Sequence, residues 1–189
     1  TNKPSVPSQS MITTLYPTSG KDCASATKIV LEIPTGGGAA GQTLIGNMSY
    51  LKFDYHNKGD DAVELPYSGV KGLFQKVELY SAGKLVQSHD HYGDWNCALR
   101  DVGTTVAQNN GTEALTTGQQ EGNRKGVSVD AGASKTLCCE IPSMILNQEK
   151  AIPTYALTGG LRLEITLVGA KDGGVWGAGA TENDCDYAL

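Results

Sequence analysis

Residues 28–43 read KIVLEIPTGGGAAGQT, a strand-like run that enters Gly36, then four residues, then Gly41-Gln42-Thr43. A phosphate-binding loop has this outline, because a glycine-rich turn opening into a helix aims backbone amides at an anion and a lysine completes the cradle. Here Gln42 stands where that lysine is required, and the residues from Leu44 to Ser49 carry no helical stripe. The glycines therefore read as a hairpin connection between two strands, and nucleotide binding is not expected. A second cluster is HDHYGD, with His89, Asp90, His91 and Asp94 inside six residues. Imidazole and carboxylate together suit a divalent metal. On a strand His89 and His91 would share a face, but in a turn that Asp94 caps they diverge, and the solvated strand-to-helix turn is the preferred reading. His56 sits apart in the turn-like YHNKGDD.

Nucleophilic chemistry finds less. No Gly-x-Ser-x-Gly elbow occurs, and the Ser-Gly pairs at Ser19 and Ser68 lie in turns. The five cysteines, Cys23, Cys97, Cys138, Cys139 and Cys185, show no C-x-x-C spacing, and an odd number cannot all pair within one chain. They read as free, mostly buried thiols, with adjacent Cys138 and Cys139 on opposite faces of a strand. A Cys-His pair has no positive support. Asp60-Asp61 and the tail ENDCD match no calcium loop. The sequons Asn47-Met48-Ser49 and Asn110-Gly111-Thr112 matter only in a secreted chain. No catalytic, cofactor-binding or metal-binding residue is assigned, no cofactor is expected, and the chain is not read as an enzyme.

The elements around these residues are strands. TLIGNMSYLKFDYHN alternates from Tyr50 to Tyr55; Phe74, Lys76, Glu78 and Tyr80 alternate with Gln75, Val77 and Leu79, and Ser-Ala-Gly turns tightly into KLVQS as a hairpin. Past it, Asp94 can cap one short helix carrying Trp95, Ala98, Leu99 and Val102, ended by Gly103. Residues 103–133 are polar and dotted with glycine, a long surface loop. SKTLCCEIPSMIL and GLRLEITLVGA are further strands, the second with Leu161, Leu163, Ile165 and Leu167 on one face and Arg162, Glu164 and Thr166 on the other. A Lys-Asp-Gly-Gly turn follows Ala170, and NDCDYAL lies inside another strand.

Composition sets the outer limits. At 189 residues, 39% hydrophobic and 19% charged, the chain is one domain with a real core and is too apolar for disorder. Its net charge of −5, with basic residues scattered singly, argues against direct nucleic-acid binding. No apolar run approaches the roughly 20 residues that span a bilayer, and the opening TNKPSVPSQSMITT has no signal-peptide core.

The order of segments, strand KIVLEIP, strand YLKFDYHN, hairpin FQKVELYSAGKLVQS, helix GDWNCALRD, loop, then LCCEIPSMILNQEKAIPTYALTGG and LRLEITLVG, resembles the first jelly roll of double jelly-roll major capsid proteins of tailless phages, virophages, Polinton-like elements and nucleocytoplasmic large DNA viruses. The resemblance covers roughly residues 28–189 as a pattern rather than a signature motif. It implies an all-β fold: a jelly-roll β-sandwich of about eight antiparallel strands with one short helix and a long surface loop, residues 28–189, behind an extended N-terminal arm, residues 1–27. The family's double roll needs about twice this length, so the chain is either the first half of one or a single-roll protein. The implied function is structural: a viral capsid protein that self-assembles into an icosahedral shell, located in the virion, with further copies in trimeric or pseudo-hexameric capsomers and other capsid proteins as partners. The arm to Gly20 and the loop Gly103 to Ala133 are expected as contact segments, and Trp95, with Tyr92 and Leu99, as core or interface anchors, the core preferred. The alternative is a carbohydrate-binding β-sandwich, which eight tyrosines and two tryptophans would furnish.

Overall fold

The computed structural model describes residues 10–24, 26–35, 42–65, 69–103, 105, 128–169 and 185–188, with backbone alone for 101 and 185–188. The Gly36 to Gly41 turn, Ser68, most of the 103–133 loop with its Asn110 sequon, the Lys-Asp-Gly-Gly turn and the start of the acidic tail lie outside those residues. Along the chain run β1 (Asp22–Ala24), β2 (Lys28–Ile33), β3 (Tyr50–Asn57), β4 (Val63–Glu64), β5 (Phe74–Ser81), β6 (Lys84–Asp90), α1 (Tyr92–Gly103), β7 (Ser128–Val129), β8 (Ser134–Glu140), β9 (Leu161–Leu167) and β10 (Cys185–Ala188).

Two four-stranded sheets, ordered β1-β10-β3-β8 and β2-β9-β5-β6, form a sandwich, and β4 pairs with β7 in a small separate ribbon. Every ladder is antiparallel. Setting the ribbon aside, the pairings nest: β5 with β6, β3 with β8, β2 with β9, β1 with β10. That is one long hairpin rolled up so that successive pairs alternate between sheets, which is the jelly roll. The fold class read from the sequence is thus the observed one.

The core lies between the sheets because each strand alternates. Phe53, Tyr55, Leu137 and Cys139 from one sheet meet Ile29, Leu31, Phe74, Val77, Leu79, Leu163 and Ile165 from the other. Phe53 and Phe74 touch across the gap with ring centroids 6.2 Å apart. Each such side chain contributes roughly 1.5–3 kcal/mol on burial. Cys138 and Cys139 do split between the exposed and buried faces.

Four expectations need correction. The glycines after Ile33 do not join a hairpin, since β2 and β3 belong to different sheets and pair instead with β9 and with β8 and β10. Local turn chemistry looks alike whether a chain returns beside itself or crosses to the opposite layer. Phe74 does not share a face with Lys76, Glu78 and Tyr80: the register of β5 on β9 slips between Phe74 and Lys76, and this bulge lets Phe74 and Val77 both point inward. The strand expected over SKTLCCEIPSMIL ends at Glu140, where Ile141 begins a turn. Finally, the segment taken as arm contains β1, which is too short to show a period, so the sandwich begins at Asp22.

Candidate assembly surfaces

The catalytic and metal candidates come apart in space. His56, on β3, bonds Ser134 Oγ through Nδ1 at 2.8 Å, while His89 lies on β6 in the other sheet. His91 leaves the strand with φ +54°, and its Nδ1 is 3.5 Å from Asp94 Oδ2. Helix α1 starts at Tyr92, two residues before the expected cap; Trp95 N–H donates to His91 O, and Asp94 sits within the first turn, where a carboxylate favours the helix amides. Among the described residues no three His, Cys, Asp or Glu groups converge as metal ligands. Cys23, Cys97, Cys138 and Cys139 are free. Burial pushes the Cys139 thiol up to about 12 and raises Cys23 and Cys138 as well, so none of these three is a ready nucleophile at neutral pH.

Among the described residues, three surfaces bear on contact with another molecule. The first is on α1. Tyr92 packs on the core, its ring centroid 6.5 Å from that of Phe74, and Arg100 is buried. A Cβ on Gly93 would lie 2.8 Å from Gly72 O, so only glycine lets the first turn sit this close to the 3-10 turn Gly69–Leu73. That contact rotates the helix so that Trp95, Leu99 and Val102 are 58%, 52% and 91% exposed. The core reading therefore holds for Tyr92 and fails for Trp95 and Leu99: backbone proximity, rather than the most apolar stripe, chose the inward face. Beside this stripe, Ser88, His89, Asp90, His91, Asp94 and Trp95 line an open cleft of about 520 Å³.

The second surface is the outer face of sheet β2-β9-β5-β6. Glu78 and Glu164 are direct cross-strand neighbours, an arrangement that costs stability unless cations intervene. Lys28 Nζ lies 2.7 Å from Glu164 Oε2 and 3.8 Å from Glu78 Oε2, and Lys76 Nζ lies 3.1 Å from Glu78 Oε1 and 3.2 Å from Asp90 Oδ1. Arg162 Nε adds an ion pair at 2.9 Å to Glu164 Oε1 and lays its guanidinium over the Tyr80 ring. Hydrogen bonds to Glu164 and Glu78, respectively, raise the Lys28 and Lys76 pKa values above the ordinary lysine range. This lattice balances its own charge.

The third is an end of the sandwich where residues 42–49 meet residues 141–157. Leu44 and Ile152 exchange both backbone hydrogen bonds at 2.8 Å, and Gln42 O accepts from Thr154 Oγ1 at 3.2 Å and from Tyr155 N at 3.3 Å. Gly46 sits under the Leu146 carbonyl so tightly that a Cβ there would fall 1.5 Å from the oxygen. From β6, Gln87 Oε1 accepts Ser143 Oγ at 2.8 Å and Ile145 N at 3.3 Å. The loops are held, yet Ile45, Met48, Met144, Ile145 and Tyr155 remain exposed.

Sequence inspection missed one residue altogether. Asn57, assigned to a turn-like stretch, ends β3 fully buried and donates through Nδ2 to the carbonyls of Asp61, Val129 and Asp130 at 2.9–3.2 Å, while its Oδ1 accepts Gly59 N–H. Its position in phase with Phe53 and Tyr55 is the signal that could have found it.

With the nested topology established, comparison with solved structures becomes informative. PBCV-1 VP54, in a crystal structure fitted into a cryo-EM reconstruction of the virophage Sputnik, aligns with a TM-score of 0.52 at 16% identity over 92% of this chain. A chain of a quasi-atomic model of the PBCV-1 virus capsid aligns with a TM-score of 0.52 at 17% identity over the same share. This chain shares its fold with a virus capsid chain. In both cases the alignment covers 39% of the longer chain. No protein-family model and no curated protein matches the sequence.

Proposed function

We propose that this chain is a structural capsid protein whose jelly roll self-assembles with further copies, and with other capsid proteins, into the icosahedral shell of a virion. The observation that carries the reading is the nested two-sheet topology shared at this level with VP54 and the PBCV-1 capsid chain. The surfaces agree with it. Three large apolar side chains stand out from a rigid helix, and a held loop pair presents five more, where an isolated globule would place solvated residues. The role is non-enzymatic. The shell copies join as trimeric or pseudo-hexameric capsomers, and the roll that opens at Asp22 is read as the first of a double-roll protein, a reading that the 39% coverage of both structural neighbours supports.

The test is the size and shape of the native particle by light scattering and negative-stain microscopy, with the intact mass of the constituent chain. Shells or trimeric plates, with a chain near twice 19.8 kDa, are expected. A monodisperse monomer under all assembly conditions would overturn the reading. A glycan-binding role is the second reading, favoured by the exposed indole of Trp95 beside the carboxylates of the α1 cleft. Silence across a glycan array removes it.

A further inference from the structure

The two edges of sheet β2-β9-β5-β6 differ. Along β2 the chain covers its own edge: Thr18 N–H donates to Val30 O at 2.9 Å, and Val30 N–H to Ser19 Oγ at 3.4 Å. β6 pairs with β5 on one side, and among the described residues no backbone outside the sheet bonds to residues 84–90. An open row of N–H and C=O groups is a template for a further strand. The β5–β6 pairing slips between the pair Tyr80 with Leu85 and the pair Leu79 with Gln87, so the regular stretch of the open edge is Gln87–Asp90.

The α1 cleft opens along that stretch. Ser88 and His89 point to opposite faces of β6, as successive strand residues must, yet both line the cleft together with Asp90. A cleft that touches both faces lies on the free side of the strand. Its other wall is the helix, through Asp94, Trp95 and Ala98. Strand edge and helix thus bound a groove of about 520 Å³, within the ordinary range of ligand sites. The helix wall selects the occupant. Asp90 is matched by Lys76, whereas Asp94 has His91 at 3.5 Å and, among the described residues, no lysine or arginine. Beside it the Trp95 indole is exposed. A guanidinium answers both, since its fork pairs with a carboxylate and its plane stacks on an aromatic ring. The net charge of −5 favours the approach of a basic partner and opposes that of a second copy.

We propose that the groove between β6 and α1 binds an extended segment of a different, basic protein, which adds as a fifth strand beside Gln87–Asp90 and sets an arginine against Asp94 and Trp95. This goes beyond the capsid reading and stands on the sandwich alone, assembled or not. Main-chain bonds to the open edge supply affinity, and the arginine supplies selectivity. Leu85 and Val86, exposed just before the paired stretch, receive apolar side chains of the added strand.

Fluorescence anisotropy of the whole chain with a labelled seven-residue peptide, alternating threonine and valine around a central arginine, tests it. Saturable binding is expected. A glutamate-centred peptide, and an arginine-centred one N-methylated at alternate amides, each bind about tenfold more weakly or worse; neither control alters the protein. Trp95→Ala weakens binding about tenfold and Asp94→Asn about threefold, both at exposed positions. In ¹⁵N-labelled chain the arginine peptide slows amide exchange within Gln87–Asp90. Equal binding by the glutamate or the N-methylated peptide, protection that falls elsewhere, or no saturation up to about 1 mM overturns the proposal. A groove that takes glycans and no peptide overturns it in favour of the glycan reading.

Discussion

The outer face of sheet β2-β9-β5-β6 and the loop end of the sandwich present opposite chemistries. On the sheet, Lys28, Lys76 and Arg162 neutralise Glu78, Glu164 and Asp90, so these six groups need no partner to balance them. At the loop end, the Leu44–Ile152 exchange ties the two loops together, and five large apolar side chains emerge beside the exposed Glu149 and Lys150. A face that settles its own electrostatics is complete as a monomer surface. A rigid face with exposed methionine and isoleucine gains from being covered.

The largest effect that separates the two is expected from Gly46→Ala. Its Cβ would collide with the Leu146 carbonyl, a backbone atom that cannot swing aside, so the loops must part. A loss of about 3 kcal/mol, or on the order of 10 °C in Tm, follows by thermal denaturation, and assembly fails with it. A variant that melts like the parent would show that the loop pair is not held as described.

Lys28→Met should cost less, about 1–2 kcal/mol, because the lysine is half exposed and water screens the carboxylates it leaves behind. Adding Glu164→Gln should recover most of that loss, since the remaining Glu78 keeps Lys76. Urea denaturation of the two single variants and the double variant measures the coupling, and simple additivity would refute the shared-cation account.

The smallest effect lies where the loop end joins the other sheet, at the last residue of β8. Burial raises the Glu140 carboxyl, but hydrogen bonds from Lys71 and Asn147, together with the Lys71 charge, outweigh it and hold the pKa below its ordinary value of 4.5. A depressed folded pKa means that the stabilisation is present above that ordinary value and is lost as pH falls through the folded one. Glu140→Gln should therefore flatten the acid limb of a stability–pH curve while leaving the alkaline limb unchanged. An unchanged acid limb would show that the Lys71–Glu140 contact contributes nothing in solution.

Most of the strands were legible because a half-buried strand writes its period into the sequence. LRLEITL and YLKFDYHN alternate as they must when one face meets a core, and the β5–β6 hairpin carries its turn in Ser-Ala-Gly. Other features were hidden. Asp22–Ala24 is too short to show a period, and the β5 bulge moves one residue out of phase. On α1 the apolar stripe was read correctly as a stripe and wrongly as the inward face, because the deciding contact is between two glycine backbones twenty-one positions apart, Gly72 and Gly93.

By itself the sequence determined the all-β class, the antiparallel hairpin and the short helix that follows it. Those properties follow from neighbours along the chain, where spacing maps directly onto a face or a turn. Tertiary structure alone decided that β2 and β3 lie in opposite sheets, that Glu78 faces Glu164, that Asn57 ties three carbonyls together, and that residues 44 and 152 meet to join two loops whose apolar side chains stay exposed. Each of these depends on groups brought together by closing long loops, and a linear pattern carries no record of which distant partner will arrive.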